Sequence, residues 1–247
     1  IEREPNNSSN EAPHLGKPGL MIHGRLEKKG DVDSYSVDLE DGDVLVADLT
    51  ASRVLASPMD GSLQITSVGG FILTENDDDQ GMDPRIVFRA PAPGRYIVRL
   101  FAFPAKPNSS IQFSGGSDYI YRLALTTGPF IEYSYPLAVG LAAPAEVALH
   151  GWNIPEDRKT IKIAANGGRG LDLVRIPGAA NAAPLAREDC KSITEEEYAK
   201  MGRLPEPTGT LIVSGRISAP GERDAYVFSA PGKENFEVSV TARRVGS

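Results

Sequence analysis

Cysteine and histidine, on which most nucleophilic and transition-metal sites depend, are scarce in this sequence. Its 247 residues include one cysteine and three histidines. The single cysteine, Cys190, excludes an internal disulfide, and this alone leaves the cellular compartment open. Long apolar runs are missing as well, since none approaches the roughly 18 residues needed to cross a bilayer. We therefore predict no membrane insertion.

Positive charge is also in deficit. Lysine and arginine number 26 against 33 aspartates and glutamates, so the formal net charge is −7 and the isoelectric point is about 5.1. No basic stripe is available to neutralise phosphates, and we predict no nucleic-acid partner.

The few histidines argue against nucleophilic catalysis. His14 lies in a polar leader, His23 lies within a predicted strand, and His150 lies at a strand end. No Gly-x-Ser-x-Gly motif occurs, and a catalytic triad needs a base that a third group holds in place. Gly167–Gly170 predicts a turn rather than a phosphate loop, because no helical pattern follows it. We predict that the chain is not an enzyme.

What the sequence does have is glycine and proline, 25 and 19 residues respectively, between short alternating runs. Tyr35, Val37 and Leu39 alternate with polar residues, and this period of two puts one set inside and the other outside. Turn pairs such as Asp41-Gly42 and Pro93-Gly94 separate the runs. The pattern predicts an all-β fold whose first domain, residues 1–126, is an antiparallel β-sandwich. Its strands are predicted at Leu20–Leu26, Ser34–Leu39, Val44–Thr50, Leu63–Ser67, Gly69–Thr74, Arg85–Arg89, Arg95–Phe101 and Tyr119–Thr126.

A smaller β pattern follows at residues 127–184, and we interpret it as an immunoglobulin-like module that ends in the linker Pro177–Pro184. Its strands are predicted at Pro144–His150, Thr160–Ala165 and Leu171–Ile176, after the stretch Gly128–Tyr135.

Residues 185–207 are predicted to be a linker with a short helix, Ser192–Met201. Ser192 or Thr194 can cap this helix, and Gly202 ends it.

The stretch Gly24–Leu39 returns at Gly215–Ala230 with an offset of 191 residues. At this offset Gly24, Arg25, Gly30, Asp33 and Tyr35 recur as Gly215, Arg216, Gly221, Asp224 and Tyr226. Such a repeat indicates a duplicated folding unit. Residues 208–247 therefore predict the opening strands of a second sandwich, at Leu211–Ile217, Ala225–Ser229 and Phe236–Ala242. Three strands cannot close such a sandwich, so we expect the polypeptide to be truncated or completed by another chain.

These motifs resemble the bacterial pre-peptidase C-terminal domain family, which is similar to the collagen-binding domains of bacterial collagenases. The resemblance is carried by the leader Glu2-x-Glu4-Pro5-Asn6-Asn7, by Gly30-Asp31-x-Asp33-x-Tyr35, by Pro93–Arg99 and by Tyr119-x-Tyr121-x-Leu123. It covers about residues 1–126 in full and 208–247 as the opening of a second copy. It implies a jelly-roll-like β-sandwich, extracellular or periplasmic, that accompanies secreted enzymes without catalysing a reaction.

The resemblance also implies a calcium site. The ligands carried over by position are Glu2, Glu4, Asn6, Asn7, Asp31 and Asp33. Their chemistry agrees, because calcium binds six to eight oxygen donors. This sequence has Asn7, and Gly30 nearby, where the family often has acids. The alternative is that the leader is a solvated arm and that Asp33 only caps a turn. The second copy has Leu204–Pro207 in place of the leader and Arg223 within the turn, so we predict no metal there.

Two further surfaces have two interpretations each. The acidic stretch Asn76–Asp79, with Asp83, fits a solvated loop better than a second ion site. The aromatic residues either form a stacking platform on one sandwich face or pack in the core, and burial statistics favour the core. They are Tyr96, Phe101, Phe103, Tyr119 and Tyr121.

The function expected from the sequence is that of a non-catalytic accessory or binding module of a secreted bacterial multidomain protein, located outside the cell, in the periplasm or at the cell surface. Its expected ligand is a polysaccharide or a fibrous extracellular protein. The alternatives are a purely structural spacer in a cell-surface protein, or the accessory region of a secreted protease. The strand edge at Phe236–Ala242 predicts self-association by strand pairing.

Overall fold

A computed structural model describes residues 1–104, 106, 112–205, 209–229, 232 and 235–242. They fall into two compact units, Ile1–Pro129 (unit 1) and Phe130–Ser247 (unit 2). Unit 1 contains eight strands and one short helix, α1 (Ser52–Leu55). The strands are β1 (Gly19–Arg25), β2 (Asp33–Leu39), β3 (Val44–Thr50), β4 (Met59–Ser67), β5 (Ile72–Asn76), β6 (Arg85–Arg89), β7 (Gly94–Pro104) and β8 (Ile120–Thr126).

Unit 1 is the predicted β-sandwich. One sheet has the strand order β1-β8-β3-β6 and the other has the order β2-β7-β4-β5, with antiparallel pairing throughout. Successive strands mostly alternate between the two sheets, which is the eight-stranded jelly-roll arrangement. The all-β fold class is therefore confirmed.

The core of unit 1 follows the alternation read from the sequence. Tyr35, Val37 and Leu39 of β2 are at most 2% exposed, and they pack against residues from both sheets. On β7, Val98 and Leu100 also belong to this core cluster. One face of each sheet is thus dry and apolar, which is the main source of stability in a sandwich.

The strand predicted at Gly69–Thr74 lies later, at β5, because the two glycines form a turn. Gly70 has φ of +84°, a conformation that favours glycine. The Ser67 carbonyl accepts a hydrogen bond from the Gly70 amide, and the Ser67 amide donates to Phe71 O, each at 2.9 Å. The helix α1 was not predicted. Buried Asp83 accepts hydrogen bonds from the amides of Ser52 and Arg53 at its start, which anchors this short turn.

Unit 2 contains two three-stranded sheets, with orders β12-β11-β9 and β10-β14-β13, and a separate core. Its strands are β9 (Phe130–Tyr135), β10 (Ala138–Gly140), β11 (Ala145–Trp152), β12 (Thr160–Ile163), β13 (Gly170–Val174), β14 (Ala183–Glu188), β15 (Lys191–Thr194) and β16 (Leu211–Ser214). A linker was expected at Pro177–Pro184, but β14 begins within it. The pairing β10–β14 is parallel, unlike any in unit 1. The immunoglobulin-like classification and the domain boundaries stay predictions.

The helix α2 (Glu195–Met201) is shorter at its start than predicted, because β15 occupies the residues before it. Thr194 caps it through a complete capping box with Glu197, and Gly202 ends it in the left-handed conformation. These capping roles of Thr194 and Gly202 are confirmed. No helix in the described part of the chain is long and apolar enough to cross a membrane.

Of the three strands predicted in the second copy, only β16 is a strand in the described residues. It pairs in parallel with β15. Residues 225–229 and 236–242 are described and are not strands. A strand requires a neighbour that accepts and donates its backbone hydrogen bonds, and the ladders of the described residues provide none for these segments.

Truncation of the unit 1 core should be costly. Leu63 is fully buried on β4, so we expect Leu63→Ala to lower the free energy of unfolding of unit 1 by about 2–5 kcal/mol. Val54→Ala, at a residue that is 58% exposed, should change it by less than about 0.5 kcal/mol. Hydrogen exchange of the β7 and β8 amides measures both. Equal protection in the two variants would contradict the assigned core.

Candidate metal centre

The N-terminal leader, residues 1–18, joins the edge strands of both sheets of unit 1. The amide of Glu2 donates to His23 O of β1 at 3.1 Å, and the amide of Ser34 in β2 donates to Asn6 O at 2.9 Å. Further along, the amide of Leu15 donates to Ser36 O, also in β2. Because β1 and β2 belong to different sheets, the leader bridges one open end of the sandwich. It is not a free solvated arm.

Three of the predicted ligands come together where the leader crosses this end. One carboxylate oxygen from each of Glu2, Glu4 and Asp33 lies within 4.8 Å of the others. Asp33 is fully buried, Glu2 is half-buried and Glu4 is exposed. We call these three residues, with Asn6, the acidic cluster.

Asn6 lies inside the cluster and is also fully buried. With its amide nitrogen toward the carboxylates, its side chain donates to Asp33 Oδ1 at 3.2 Å and to Glu4 Oε2 at 3.1 Å. In the opposite orientation the amide presents an oxygen to the same point in space. The two orientations suit different occupants, since the first supplies a donor to the carboxylates and the second supplies a further oxygen ligand to a cation.

Two tyrosines lie beneath the cluster. Tyr121 of β8 donates a short hydrogen bond to Asp33 Oδ2, and its hydroxyl lies 3.2 Å from Glu2 Oε2. Tyr35 of β2 lies behind it, with 2.6 Å between the two hydroxyl oxygens. Both rings are at most 2% exposed. A phenol has one proton, so Tyr121 can donate to Asp33 or to Glu2 but not to both.

Gly24 of β1 makes room for this arrangement. A Cβ at this position would collide with Glu2 Oε2 and with the phenol of Tyr121. The bare backbone lets the Glu2 carboxylate accept a hydrogen bond of 2.6 Å from the Arg25 amide. The first glycine of the repeated motif is therefore required for space at the cluster.

Burial and mutual repulsion disfavour the ionised form of the carboxylates in the acidic cluster. Burial raises the pKa of the Asp33 carboxyl to about 8, and the neighbouring acids Glu2, Asp31 and Glu4 add to this, while the Tyr121 hydrogen bond opposes it. Burial likewise raises the pKa of Glu2 and of Glu4. Lys28 acts in the opposite direction at Glu4, but more weakly than burial and Asp31 do. The carboxylates therefore need protons or a cation to lie so close together.

The other two predicted ligands accept hydrogen bonds from backbone amides. Asp31 is buried, and its Oδ2 accepts a hydrogen bond from the Glu27 amide, which closes the turn before β2. Asn7 Oδ1 accepts one from the Val32 amide at 3.3 Å. The Asp31 carboxylate is not one of the three that converge, although it is close enough to raise the pKa of Asp33.

Sequence reasoning missed Tyr121 as a part of this site. The sequence predicts only that Tyr119 and Tyr121 belong to a set of aromatic residues at the surface or in the core. Tyr121 points into the core, whereas Tyr119 is half-buried at its edge. The repeat preserves Gly24 and Tyr35 as Gly215 and Tyr226, but it contains no counterpart of Tyr121. The strand that supplies Tyr121 is far away in the sequence, so only the fold shows that it meets Asp33.

The second copy repeats part of the framework with a different leader. Glu195 of α2 accepts a hydrogen bond of 2.9 Å from the Arg216 amide, as Glu2 does from Arg25. A Cβ at Gly215 would lie 2.6 Å from the Tyr226 hydroxyl and 3.0 Å from Glu195 Oε2. Of the stretch predicted to replace the leader in the second copy, Leu204–Pro207, the last two residues lie outside the described residues. The helix supplies the carboxylate instead.

The acidic loop after β5 is largely committed to structural contacts. Asp83 anchors α1, and Arg85 pairs with Asp48 at 2.7 Å and with Asp79 at 3.6 Å. Gln80 also donates to Asp48.

Comparison with known proteins identifies the family of the first sandwich. Residues 31–102 match the family model described as the bacterial pre-peptidase C-terminal domain. Unit 1 contains a pre-peptidase C-terminal domain. The resemblance inferred from the sequence is thereby confirmed for this unit, and the domain is a non-catalytic one.

One relative is a probable subtilase-type serine protease of Deinococcus radiodurans, 32% identical over 99 residues. The match covers 39% of this chain but only 14% of the length of the protease.

Among solved structures, the chain is similar over part of its length to the pre-peptidase C-terminal domain of a collagenase from Bacillus anthracis. It is 13% identical, with a TM-score of 0.36, and the match covers 51% of this chain and all of that domain. Another is a periplasmic inhibitor of g-type lysozyme from Aeromonas hydrophila, 14% identical with a TM-score of 0.32, over 47% of this chain and 96% of the inhibitor. A third is a surface-associated copper-binding protein of Methylomicrobium album, 12% identical with a TM-score of 0.29, over 47% and 98% of the two chains.

The space at Gly24 can be tested by adding one methyl group. We expect Gly24→Ala to displace the Glu2 carboxylate, to destabilise unit 1 by about 1–3 kcal/mol and to speed hydrogen exchange at the Arg25 amide. Gly19→Ala, on the same strand with no atom within 4 Å of the added carbon, is the matched control and should change neither quantity. Similar exchange at Arg25 in both variants would contradict the assigned contact.

The raised pKa of Asp33 predicts how stability depends on pH in the presence of a chelator. Between its ordinary value of 3.8 and about 8, folded unit 1 keeps a proton that the unfolded chain releases. The free energy of unfolding should therefore fall as the pH rises through this window. Asp33→Asn should flatten the slope, whereas Asp41→Asn, at an exposed turn residue, should leave it unchanged. Urea unfolding at pH 4, 6 and 8 measures it, and a slope that rises with pH would refute the assignment.

Proposed function

We propose that unit 1 is a calcium-stabilised, non-catalytic accessory module of a secreted bacterial multidomain protein. The observation that carries this proposal is the convergence of the Glu2, Glu4 and Asp33 carboxylates where the leader joins the edge strands β1 and β2 of the two sheets. A bound divalent cation would connect the leader to β2 and so close this end of the sandwich.

The donor set fits calcium. Three carboxylates, each able to bind through one or both oxygens, surround the buried amide of Asn6, and calcium accepts an irregular shell of oxygen ligands. Nitrogen and sulfur ligands, which zinc and copper prefer, are missing from this group of four residues. When bound, calcium supplies the positive charge that offsets the repulsion among the carboxylates.

The residues of the chain prepare this site before any ion binds. The backbone amide of Arg25 holds the Glu2 carboxylate against Gly24. The backbone amide of Asn6 donates a hydrogen bond to Glu4 Oε2 at 3.0 Å. Tyr121 orients Asp33 from below. These contacts fix the carboxylates, so little side-chain entropy remains to be lost on binding.

The one thiol of the sequence, Cys190 of unit 2, is not activated as a nucleophile. Burial raises the pKa of Cys190, with Glu188 adding to the effect, whereas a nucleophilic cysteine needs a lowered pKa. Among the alternatives, the accessory region of a secreted protease is favoured by the match to a probable subtilase-type serine protease. A location outside the cytoplasmic membrane follows from the same proposal, since calcium is abundant there.

For the second copy we propose strand pairing with another chain. Val238 and Val240 are 80% and 85% exposed, although their alternation is that of a half-buried strand. Pairing with a second copy or a partner strand would cover them.

Thermal melting with excess calcium and with chelator tests the calcium site. At a calcium concentration of about 100 times the dissociation constant, unit 1 should gain about 2.7 kcal/mol and melt several degrees higher. Glu4→Gln and Asp33→Asn should each remove most of this shift, because each deletes one charged ligand.

Glu11→Gln is the control, since Glu11 lies in the same leader but outside the cluster and is bonded to Ser8. It should keep the full shift. If chelator changes nothing in the unaltered chain, unit 1 is not calcium-stabilised, and the structural spacer becomes the better proposal.

A further inference from the structure

The outer face of one sheet of unit 1 carries an aromatic patch that the core does not explain. On β7, Phe101 and Phe103 point away from the core cluster, on the face opposite Leu100. Phe113 packs on both. We call Phe101, Phe103 and Phe113 the aromatic patch.

The three rings make a corner. Phe101 and Phe113 stack with centroids 4.4 Å apart, while Phe103 stands nearly perpendicular to both, 6.0 Å from Phe101 and 5.5 Å from Phe113. Phe101 is only 7% exposed, because the other two rings cover it, but Phe103 remains 43% exposed. Part of the Phe103 ring is therefore left open to solvent beside the corner.

Acidic side chains surround this corner. A cavity of about 330 Å³ is lined by the three rings with Ser62, Glu75, Asn76 and Asp77. Asp60 is the register partner of Phe103 on β4 and shares its face. Burial raises the pKa of Asp60, and nearby Asp78 and Asp77 raise it further, which shows that several carboxylates act on this region.

A positive charge on the same face of β7 is already engaged. Arg99, two residues before Phe101 on the same face, donates to Gln64 Oε1 at 3.2 Å, and Gln64 in turn donates to Glu75 Oε2 at 3.1 Å. This row across β7, β4 and β5 holds the Glu75 carboxylate at the margin of the cavity. No basic side chain lines the cavity among the residues that the structure describes.

We propose that this cavity is a docking site for a lysine or arginine side chain presented by an extracellular protein partner. Aromatic ring faces attract cations, and the carboxylates provide the opposite charge and the hydrogen-bond acceptors that an ammonium or guanidinium group requires. This proposal rests on the proposed accessory role, because it names the ligand that the accessory module would bind. The acidic cluster at the leader takes no part in it.

A polysaccharide fits this lining less well. Sugar hydroxyls both donate and accept hydrogen bonds. The charged groups that line the cavity, Glu75 and Asp77, can accept hydrogen bonds but cannot donate them when they are ionised. A cationic side chain donates and does not accept, so it matches the lining on both charge and hydrogen bonding.

The test uses the intact chain and a fluorescent heptapeptide, acetylated and amidated, in which three lysines alternate with glycines. Fluorescence anisotropy should show binding that weakens with added salt, and the same peptide with norleucine should bind at least tenfold more weakly. We expect Phe103→Ala and Glu75→Gln each to weaken binding of the lysine peptide about tenfold. Both replaced side chains are exposed, so the fold should persist.

The matched controls are Phe71→Ala, at a ring that is 77% exposed on the β4–β5 turn, and Asp41→Asn. Neither should change the affinity. Equal binding of the norleucine peptide, unchanged binding in Phe103→Ala and Glu75→Gln, or preference for a chitin hexasaccharide would overturn the proposal. The affinity should be the same with calcium and with chelator, so a failed calcium site and a failed docking site give different results.

Discussion

A carboxylate removed from water must be hydrogen-bonded, protonated or paired with a cation, and Asp33 imposes this constraint on one end of the first sandwich. Tyr121 supplies the hydrogen bond from β8, and Tyr35 supports Tyr121 from β2. Both ends of this chain of contacts belong to core strands. The polar cluster is thus built into the packing of the two sheets and is not a loop laid on their surface.

The leader depends on the same constraint. Glu2 and Glu4 bring further negative charge to Asp33, which is unfavourable unless a proton or a cation balances it. Backbone hydrogen bonds to β1 and β2 nevertheless hold the leader there. A segment without periodicity therefore becomes ordered, because its two ends bind the edge strands of different sheets, and edge strands have free backbone groups to offer.

The second copy shows how the same framework accepts a different chain entry. Glu195 reaches the Arg216 amide from a capped helix, whereas Glu2 reaches Arg25 from an extended strand. Gly215, like Gly24, leaves the space that a carboxylate and a tyrosine hydroxyl occupy. The conserved element within this chain is thus the space above a glycine, and the secondary structure that delivers the carboxylate varies.

The sequence by itself determined the β-sandwich and its core face, because alternation with period two and turn glycines are local signals. Only the tertiary structure decided that Tyr121 meets Asp33, that Asp31 and Asn7 accept hydrogen bonds from the Glu27 and Val32 amides, and that β16 pairs with β15. Each of these joins residues distant in sequence or chooses between partners of similar chemistry. The choice depends on which strands become neighbours, and no local pattern encodes that.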